Sequence, residues 1–98
     1  MRISVVIPAL NEAGNIGRLV EETYASVPAA MLAEVIVVDD HSDDATGAEV
    51  KALIDGGRYP GLRYLRHSAR SGQSTAMRTG ILAATSPVIA TMDGDGQN

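Results

Sequence analysis

Four short runs of β-branched and aliphatic residues divide this chain, at residues 3–7, 35–38, 62–65 and 88–92. The segments between them carry apolar residues at the spacing of one helix face. In the first segment these residues are Ile16, Leu19, Val20 and Thr23. Alternating strands and helices with short connections predict an α/β fold, a three-layer α/β/α arrangement around a mostly parallel, Rossmann-like sheet.

Three helices are expected between the strands. The first covers about 13–26, with Asn11 as its N-cap, and it ends before Pro28. The second opens within the capping-rich segment 42–46. The third is capped by Ser71 or Ser74 and runs to about Thr85. The inner face of the third helix is expected to consist of Ala76, Met77, Gly80, Ile81 and Ala84.

Composition limits the function classes. The 98 residues contain no cysteine and carry a net charge of −4. The lack of cysteine excludes disulfides, thiolate metal sites and cysteine nucleophiles, and it fits a cytoplasmic location. Without a basic balance or interleaved aromatic residues, no nucleic-acid binding is expected. The length allows one small domain, and no apolar run approaches the roughly 20 residues of a membrane span.

Arginines are concentrated in the second half of the chain. Between residues 58 and 92 there are five arginines and no acidic residue. One interpretation is an ordinary solvated face, and the other is an electropositive wall that faces a phosphate group. The sequence does not decide between these two interpretations.

The strongest chemical signal directly follows the fourth strand. The carboxylates of Asp93 and Asp95 are separated by Gly94, and Gln97 adds an amide oxygen. Hard oxygen ligands on an uncrowded backbone suit Mg²⁺ or Mn²⁺ that carries a diphosphate. A simple polar turn is the alternative interpretation of this D-x-D-x-Q pattern.

Polar clusters also follow the other strands, at Asn11–Glu12, Asp39–Asp40 and Gly72–Ser74. Helix capping is the structural interpretation of the cluster at 11–12. The acids at 39–40 fit either turn chemistry or hydrogen bonds to a ribose or base. The cluster at 72–74 fits either an ordinary loop or a helix start that binds an anion. Ligands of parallel sheets bind at the carboxyl ends of strands, so the four clusters are expected at one rim. His41 and His67 are interpreted as loop residues rather than ligands.

Several known nucleotide-binding patterns are absent. The loop after the first strand is neither G-x-G-x-x-G nor G-x-x-x-x-G-K-[ST], so a dinucleotide fingerprint and a P-loop are excluded. A phospho-acceptor pocket of the receiver type needs an acid pair after the first strand, which this chain lacks.

Taken together, the polar clusters and their strands resemble the amino-terminal half of inverting family-2 glycosyltransferases with the GT-A fold. The resemblance is greatest to polyprenyl-phosphate (dolichol-phosphate) mannosyl- or glucosyltransferases. The matching segments are VVIPALNEAGNI at 5–16, VIVVDDHSDD at 35–44, SGQSTAMRTGI at 71–81 and ATMDGDGQN at 90–98. They occur in the family's order along the whole chain.

The resemblance implies a metal-dependent transferase that uses GDP-mannose or a UDP-sugar and passes the sugar to a polyprenyl phosphate with inversion. The nucleotide-binding residues that it implies are Pro8, Leu10, Glu12, Val38, Asp40, Asp93 and Gly94. The catalytic carboxylates that it implies are Asp93 and Asp95, which with Gln97 would bind Mg²⁺ or Mn²⁺. Leu10 replaces an aromatic residue often found in the family, and Gly96 replaces a more usual leucine.

Family catalytic domains are longer than this chain, and their acceptor half follows the D-x-D loop. Residues 1–98 are therefore expected to be the nucleotide-sugar-binding half of a truncated GT-A domain, with little or no transferase activity alone. The sheet edge beside the fourth strand is expected to cause self-association. The full-length protein is expected at the cytoplasmic face of a membrane.

Two other functions stay open. A non-catalytic nucleotide-binding module of the same fold would differ only in residues beyond Asn98. A sugar-nucleotide pyrophosphorylase-like enzyme would usually have a glycine-rich and basic loop after its first strand, and PALNEAGN does not supply one.

Overall fold

The computed structural model describes residues 2–92, which form a four-stranded sheet with three α-helices. The strand order is β3-β2-β1-β4, and every pair of neighbouring strands is parallel. This confirms the α/β fold with a parallel sheet. The elements are β1 (Ile3–Ala9), α1 (Ile16–Ser26), a 3₁₀ turn (Ala29–Met31), β2 (Leu32–Asp39), α2 (Thr46–Asp55), β3 (Leu62–Arg66), α3 (Gln73–Ala83) and β4 (Val88–Thr91).

The central strands β1 and β2 are buried on both faces because helices cover each face. Successive side chains of a strand point to opposite sides, so each strand contributes to two clusters. On one face Val5, Ile7, Val35 and Val37 pack in a cluster with buried residues of α1 and α2. On the other face Val6, Ile36 and Val38 pack in a cluster with Ala76 of α3. The three layers are therefore confirmed, and the buried residues of α1 are those predicted, namely Ile16, Leu19, Val20 and Thr23.

The start of α1 differs from the prediction. The helix begins at Ile16, its N-cap position is Asn15, and Asn11 is not its cap. Asn11 instead has a left-handed backbone, with φ of 52°. Its side-chain oxygen accepts a hydrogen bond from the backbone N–H of Asp43 at 2.9 Å. The loop after β1 is held by contacts with a later segment, so it does not enter the helix. The end of α1 at Ser26 agrees with the prediction.

The end of α3 also differs from the prediction. The helix ends at Ala83 instead of Thr85, and Ile81, which was expected to face the sheet, is 43% exposed. The Ala83 carbonyl accepts a hydrogen bond from Arg63 at 3.0 Å, and the Thr85 N–H donates to Glu34 at 2.6 Å. Side chains of the sheet thus form hydrogen bonds with the Ala83 carbonyl and the Thr85 N–H, so these backbone groups do not continue the helix.

Glu34 is the centre of a buried polar cluster at the opposite end of the sheet from the predicted site. Its carboxylate accepts hydrogen bonds from the Ser4 hydroxyl at 2.6 Å, from the Arg63 guanidinium at 2.7 Å and from the Thr85 backbone N–H at 2.6 Å. Burial alone would raise its pKa, but these hydrogen bonds outweigh burial and lower the pKa of Glu34 to about 2. The carboxylate therefore joins β1, β2, β3 and the segment that leads into β4.

The carboxyl ends of all four strands lie at the same end of the sheet because the strands are parallel. The strand order changes direction at β1, which lies between β2 and β4. Open parallel sheets bind their ligands beside such a switch point. Across residues 2–92, no helix is long and apolar enough to cross a membrane.

Candidate functional site

A pocket lies at the carboxyl ends of β1 and β2, beside the start of α3. Four of the predicted nucleotide-binding residues come together in it, namely Pro8, Leu10, Glu12 and Asp40. The remaining lining residues are Ala9, Arg70, Gly72, Gln73 and Ala76. The lining combines apolar residues with three charged side chains, Glu12, Asp40 and Arg70, a common character of small-molecule sites.

The other predicted site residues do not line this pocket. Val38 is fully buried in the cluster between the sheet and α3. Asp93, Gly94, Asp95 and Gln97 lie outside the described residues. Over residues 2–92, no group of three or more acidic or histidine side chains is arranged to hold a metal ion.

Asp40 connects the pocket to the loop before α3. Its carboxylate accepts hydrogen bonds from the backbone N–H groups of Ser71 and Gly72, both at 2.8 Å, and from His67 Nδ1 at 2.9 Å. Burial would raise the pKa of Asp40, but the bonds from His67, Ser71 and Gly72 outweigh it and lower the pKa. Asp40 is therefore an ionised side chain that fixes one wall of the pocket.

His67 is a residue whose role the sequence interpretation missed. Its side chain is 14% exposed, and its Nε2 lies 2.8 Å from Thr79 Oγ1 on α3. It thus bridges Asp40 and α3 beside the pocket. The signal in the sequence was positional, because Asp40 and His67 each directly follow a strand. The structure adds the register, in which Asp39 and Arg66 are partners, so that the residues after them come side by side.

The neighbouring acid, Asp39, has a structural role. It is fully buried, accepts hydrogen bonds from Ser42 N–H at 2.8 Å and from the Tyr64 hydroxyl at 2.5 Å, and lies 3.5 Å from Arg66. Burial and the bond to Asp39 raise the pKa of Tyr64. Of the two adjacent acids, only Asp40 lines the pocket.

The loop between β1 and α1 is attached to the segment between β2 and α2. Four successive backbone N–H groups, at residues 11–14, donate to side-chain oxygens of residues 42–49. The pairs are Asn11 to Ser42 at 2.9 Å, Glu12 to Thr46 at 2.8 Å, Ala13 to Asp44 at 3.1 Å, and Gly14 to Glu49 at 2.9 Å. We call these four bonds the loop clamp. Leu10 and Glu12 thereby hold a defined place at the pocket.

Carboxylates of the chain accept hydrogen bonds from backbone N–H groups shortly before, or at, the start of each described α-helix. Asp44 and Glu49 accept from the amides that precede α1, Asp44 accepts from Thr46 N–H at 3.0 Å, and Asp40 accepts from Gly72 N–H. The hydrogen bond from the Thr46 hydroxyl leads the causes that lower the pKa of Asp44, so this acid is ionised. Helix N-termini commonly bind phosphate, and here these amides already bind an anion.

The arginines do not form one electropositive wall. Arg63 pairs with Glu34 at 2.7 Å, Arg66 lies 3.5 Å from Asp39, and Arg58 lies 3.9 Å from Glu21. Only Arg70 lines the pocket, where its guanidinium also contacts Asp43 at 3.0 Å. Arg78 does not line the pocket either, so the interpretation of the five arginines as one phosphate-facing wall is wrong.

Comparison with known proteins agrees with this architecture. The chain is 40% identical over 108 residues to the dodecaprenyl-phosphate galacturonate synthase of Rhizobium johnstonii, covering all of this chain and 29% of that protein. It is 33% identical over 101 residues to the dolichol-phosphate mannosyltransferase of Pyrococcus furiosus, covering all of this chain and 27% of that protein. The chain thus spans less than a third of the length of these relatives.

A solved structure with the same fold is the mannosyltransferase PcManGT from Pyrobaculum calidifontis in complex with GDP-Man and Mn²⁺. It matches with a TM-score of 0.86 and 29% identity over 96% of this chain and 27% of that chain. A family model, glycosyl transferase family 2, matches residues 4–98. The GT-A fold and the predicted resemblance are confirmed, and the chain belongs to glycosyl transferase family 2.

Proposed function

We propose that this chain forms the donor-binding part of a metal-dependent glycosyltransferase. The donor is a nucleoside-diphosphate sugar, GDP-mannose or a UDP-sugar, and the acceptor of the whole protein is a polyprenyl phosphate. The observation that carries the proposal is the pocket, which joins Pro8, Leu10, Glu12 and Asp40 at the carboxyl edge of the sheet. The relatives named for dodecaprenyl-phosphate and dolichol-phosphate reactions support this choice of acceptor.

The charges around the pocket support the need for a divalent cation. Glu12 and Asp40 line it, and Arg70, the lining cation, already contacts Asp43. The backbone N–H of Gly72, which also lines the pocket, already donates to Asp40. A diphosphate in this pocket would lie beside two carboxylates, and a cation would offset the repulsion between these negative charges. Asp93, Asp95 and Gln97 would hold Mg²⁺ or Mn²⁺ at the end of β4.

In this proposal the residues of the pocket bind and orient the nucleoside. Pro8, Ala9 and Ala76 supply apolar surface against the donor, and Glu12 and Asp40 accept hydrogen bonds from ribose or base groups. The bound metal ion would stabilise the negative charge that develops on the departing diphosphate. The acceptor phosphate attacks the anomeric carbon from the opposite side, so the configuration inverts.

Calorimetric titration with GDP and UDP, each with Mn²⁺ and with EDTA, tests the proposal. We expect one nucleotide to bind more tightly than the other, and EDTA to weaken that binding by about 10- to 100-fold, a usual size for coupling between two ligands. Equal affinity with and without the metal would contradict the metal dependence. Absence of binding to both nucleotides would contradict the proposed function.

The variant Glu12→Gln tests the site itself. It keeps the size of the side chain but removes a charged acceptor, so nucleotide affinity should fall about tenfold, the usual value of a hydrogen bond to a charged group. Glu21→Gln is the matched control, because Glu21 is an exposed acid on α1 that does not line the pocket. Equal affinities of the two variants would remove Glu12 from the proposed site.

We further propose that the chain self-associates through β4. Among the described residues β4 lies at a sheet edge and pairs only with β1, and Leu82 of α3, the helix that precedes β4 in the chain, is 74% exposed. Light scattering should therefore give a mass above the 10.2 kDa of one chain. Leu82→Lys should lower that mass, whereas Ile54→Lys, at a 37% exposed position of α2, should not. A single 10.2 kDa species for the unaltered chain contradicts the proposal.

A further inference from the structure

The four bonds of the loop clamp share one direction, and a fifth bond, from Asp43 N–H to the Asn11 side chain at 2.9 Å, runs the other way between the same two segments. All four donors are backbone groups of the β1–α1 loop, and all four acceptors are side chains of the β2–α2 segment. The donor and acceptor residues are 31 to 35 positions apart in the chain. A loop held in this way takes its position from residues that themselves lie outside the pocket lining.

Thr46 is the buried centre of the clamp. Its hydroxyl accepts from Glu12 N–H at 2.8 Å and donates to Asp44, whose other carboxylate oxygen accepts from Ala13 N–H. Thr46 is fully buried at the first residue of α2, so its hydroxyl has a fixed position. Glu49, one turn further along α2, accepts from Gly14 N–H with both carboxylate oxygens, at 2.9 and 3.1 Å.

We propose that Thr46 and Glu49 are positioning residues for donor binding. Neither residue lines the pocket, and both act by holding the loop that carries Leu10 and Glu12. Backbone N–H groups lose mobility when fixed side chains accept from them, and a loop that is already ordered binds its ligand at a lower entropic cost. The inference rests on the proposed function, since the ligand is the donor nucleotide.

Three variants and one control test the inference. Thr46→Val keeps the shape of the side chain but cannot accept from Glu12 N–H, and Glu49→Ala removes both bonds to Gly14. Thr46→Ser keeps the hydroxyl and should restore the behaviour of the unaltered chain. Glu22→Ala removes an equal charge from an exposed position of α1, where the acid pairs with Arg18 at 2.9 Å.

The first measurement is amide hydrogen exchange of residues 11–14 without nucleotide. We expect Thr46→Val and Glu49→Ala to speed exchange at Glu12 and Gly14 respectively by at least about tenfold, the equivalent of one hydrogen bond of 1.4 kcal/mol. Amides of β1 and β2 should keep their protection, which separates a released loop from an unfolded protein. Unchanged exchange at the loop amides would overturn the clamp.

The second measurement is the affinity for UDP and GDP with Mn²⁺. Thr46→Val and Glu49→Ala should weaken binding about fivefold or more, and Thr46→Ser and Glu22→Ala should not. Faster loop exchange with unchanged affinity would overturn the positioning role and leave the proposed function intact. If the unaltered chain binds neither nucleotide, the proposed function and the role in donor binding both fall, whereas hydrogen exchange still decides whether the clamp holds the loop.

Discussion

Glu34→Gln is expected to lower the free energy of unfolding by about 3 kcal/mol, the upper end of the cost of leaving buried polar groups without their partner. The variant leaves Arg63 without its anion, and it places an amide N–H₂ among groups that donate, since Ser4 and Thr85 both donate to the carboxylate. Urea unfolding followed by circular dichroism measures the change. A loss below about 1 kcal/mol would show that the cluster tolerates a neutral side chain.

The matched control is Glu22→Gln. Glu22 also pairs with an arginine, Arg18, at 2.9 Å, but both side chains are more than half exposed. Exposed pairs contribute about 0–1 kcal/mol, so this variant should unfold almost as the unaltered chain does. The two substitutions change the same atoms, and the difference between them isolates burial.

The same carboxylate predicts how acid affects stability. Its pKa is about 2 in the folded chain and 4.5 in its ordinary state, so the folded form favours the ionised group. The contribution is complete above pH 4.5 and is lost as the pH falls through about 2. We expect the ionised carboxylate of Glu34 to contribute about 2 kcal/mol to the free energy of unfolding. The value is this small because Arg63 is 39% exposed and solvent screens its charge. Glu34→Gln should therefore have a flatter stability profile in this range, and parallel profiles would contradict the assignment.

Gly80→Ala is expected to destabilise the chain by about 2–3 kcal/mol, although alanine favours helices by about 1 kcal/mol over glycine. A Cβ at this position of α3 would lie 2.3 Å from Val6 Cγ1 and 3.2 Å from Val38 Cγ2. Both valines are fully buried and stiff at χ1, so α3 itself must move away from the sheet. Thermal and urea unfolding measure the effect.

Gly17→Ala is the matched control in α1, where a Cβ meets no atom within 4 Å. It should leave stability unchanged or raise it by up to about 1 kcal/mol. The double variant Val6→Ala with Gly80→Ala tests the cause, because removing the two valine methyl groups should recover part of the loss. Strict additivity of the two single changes would place the strain elsewhere.

Much of the fold was predictable because its signals are local and periodic. The four apolar runs are the four strands, and the residues predicted for the inner face of α1 are the ones that the structure buries. The convergence of Pro8, Leu10, Glu12 and Asp40 also followed from the sequence, since the carboxyl ends of parallel strands meet at one edge.

The errors concern loop and helix ends that long-range contacts determine. Asparagine is a common residue at helix N-caps, but hydrogen bonds with Ser42 and Asp43 hold Asn11 in a left-handed conformation outside the helix. The shortened α3 depends on bonds from Arg63 to Ala83 and from Thr85 to Glu34, which join residues 20 and 51 positions apart in the chain. Such contacts leave no periodic pattern in the sequence. The assignment of metal ligands to Asp93, Asp95 and Gln97 stays a prediction.

The loop clamp has a consequence for transplanting this site into another scaffold. The first strand–loop–helix unit carries four main-chain donors whose acceptors all belong to the second unit. Grafted alone, the first unit would expose those donors and lose the shape of its loop. The two units must therefore be moved together, and a chimera with its junction between them, within the 3₁₀ turn at 29–31, should fail where one joined after α2 succeeds.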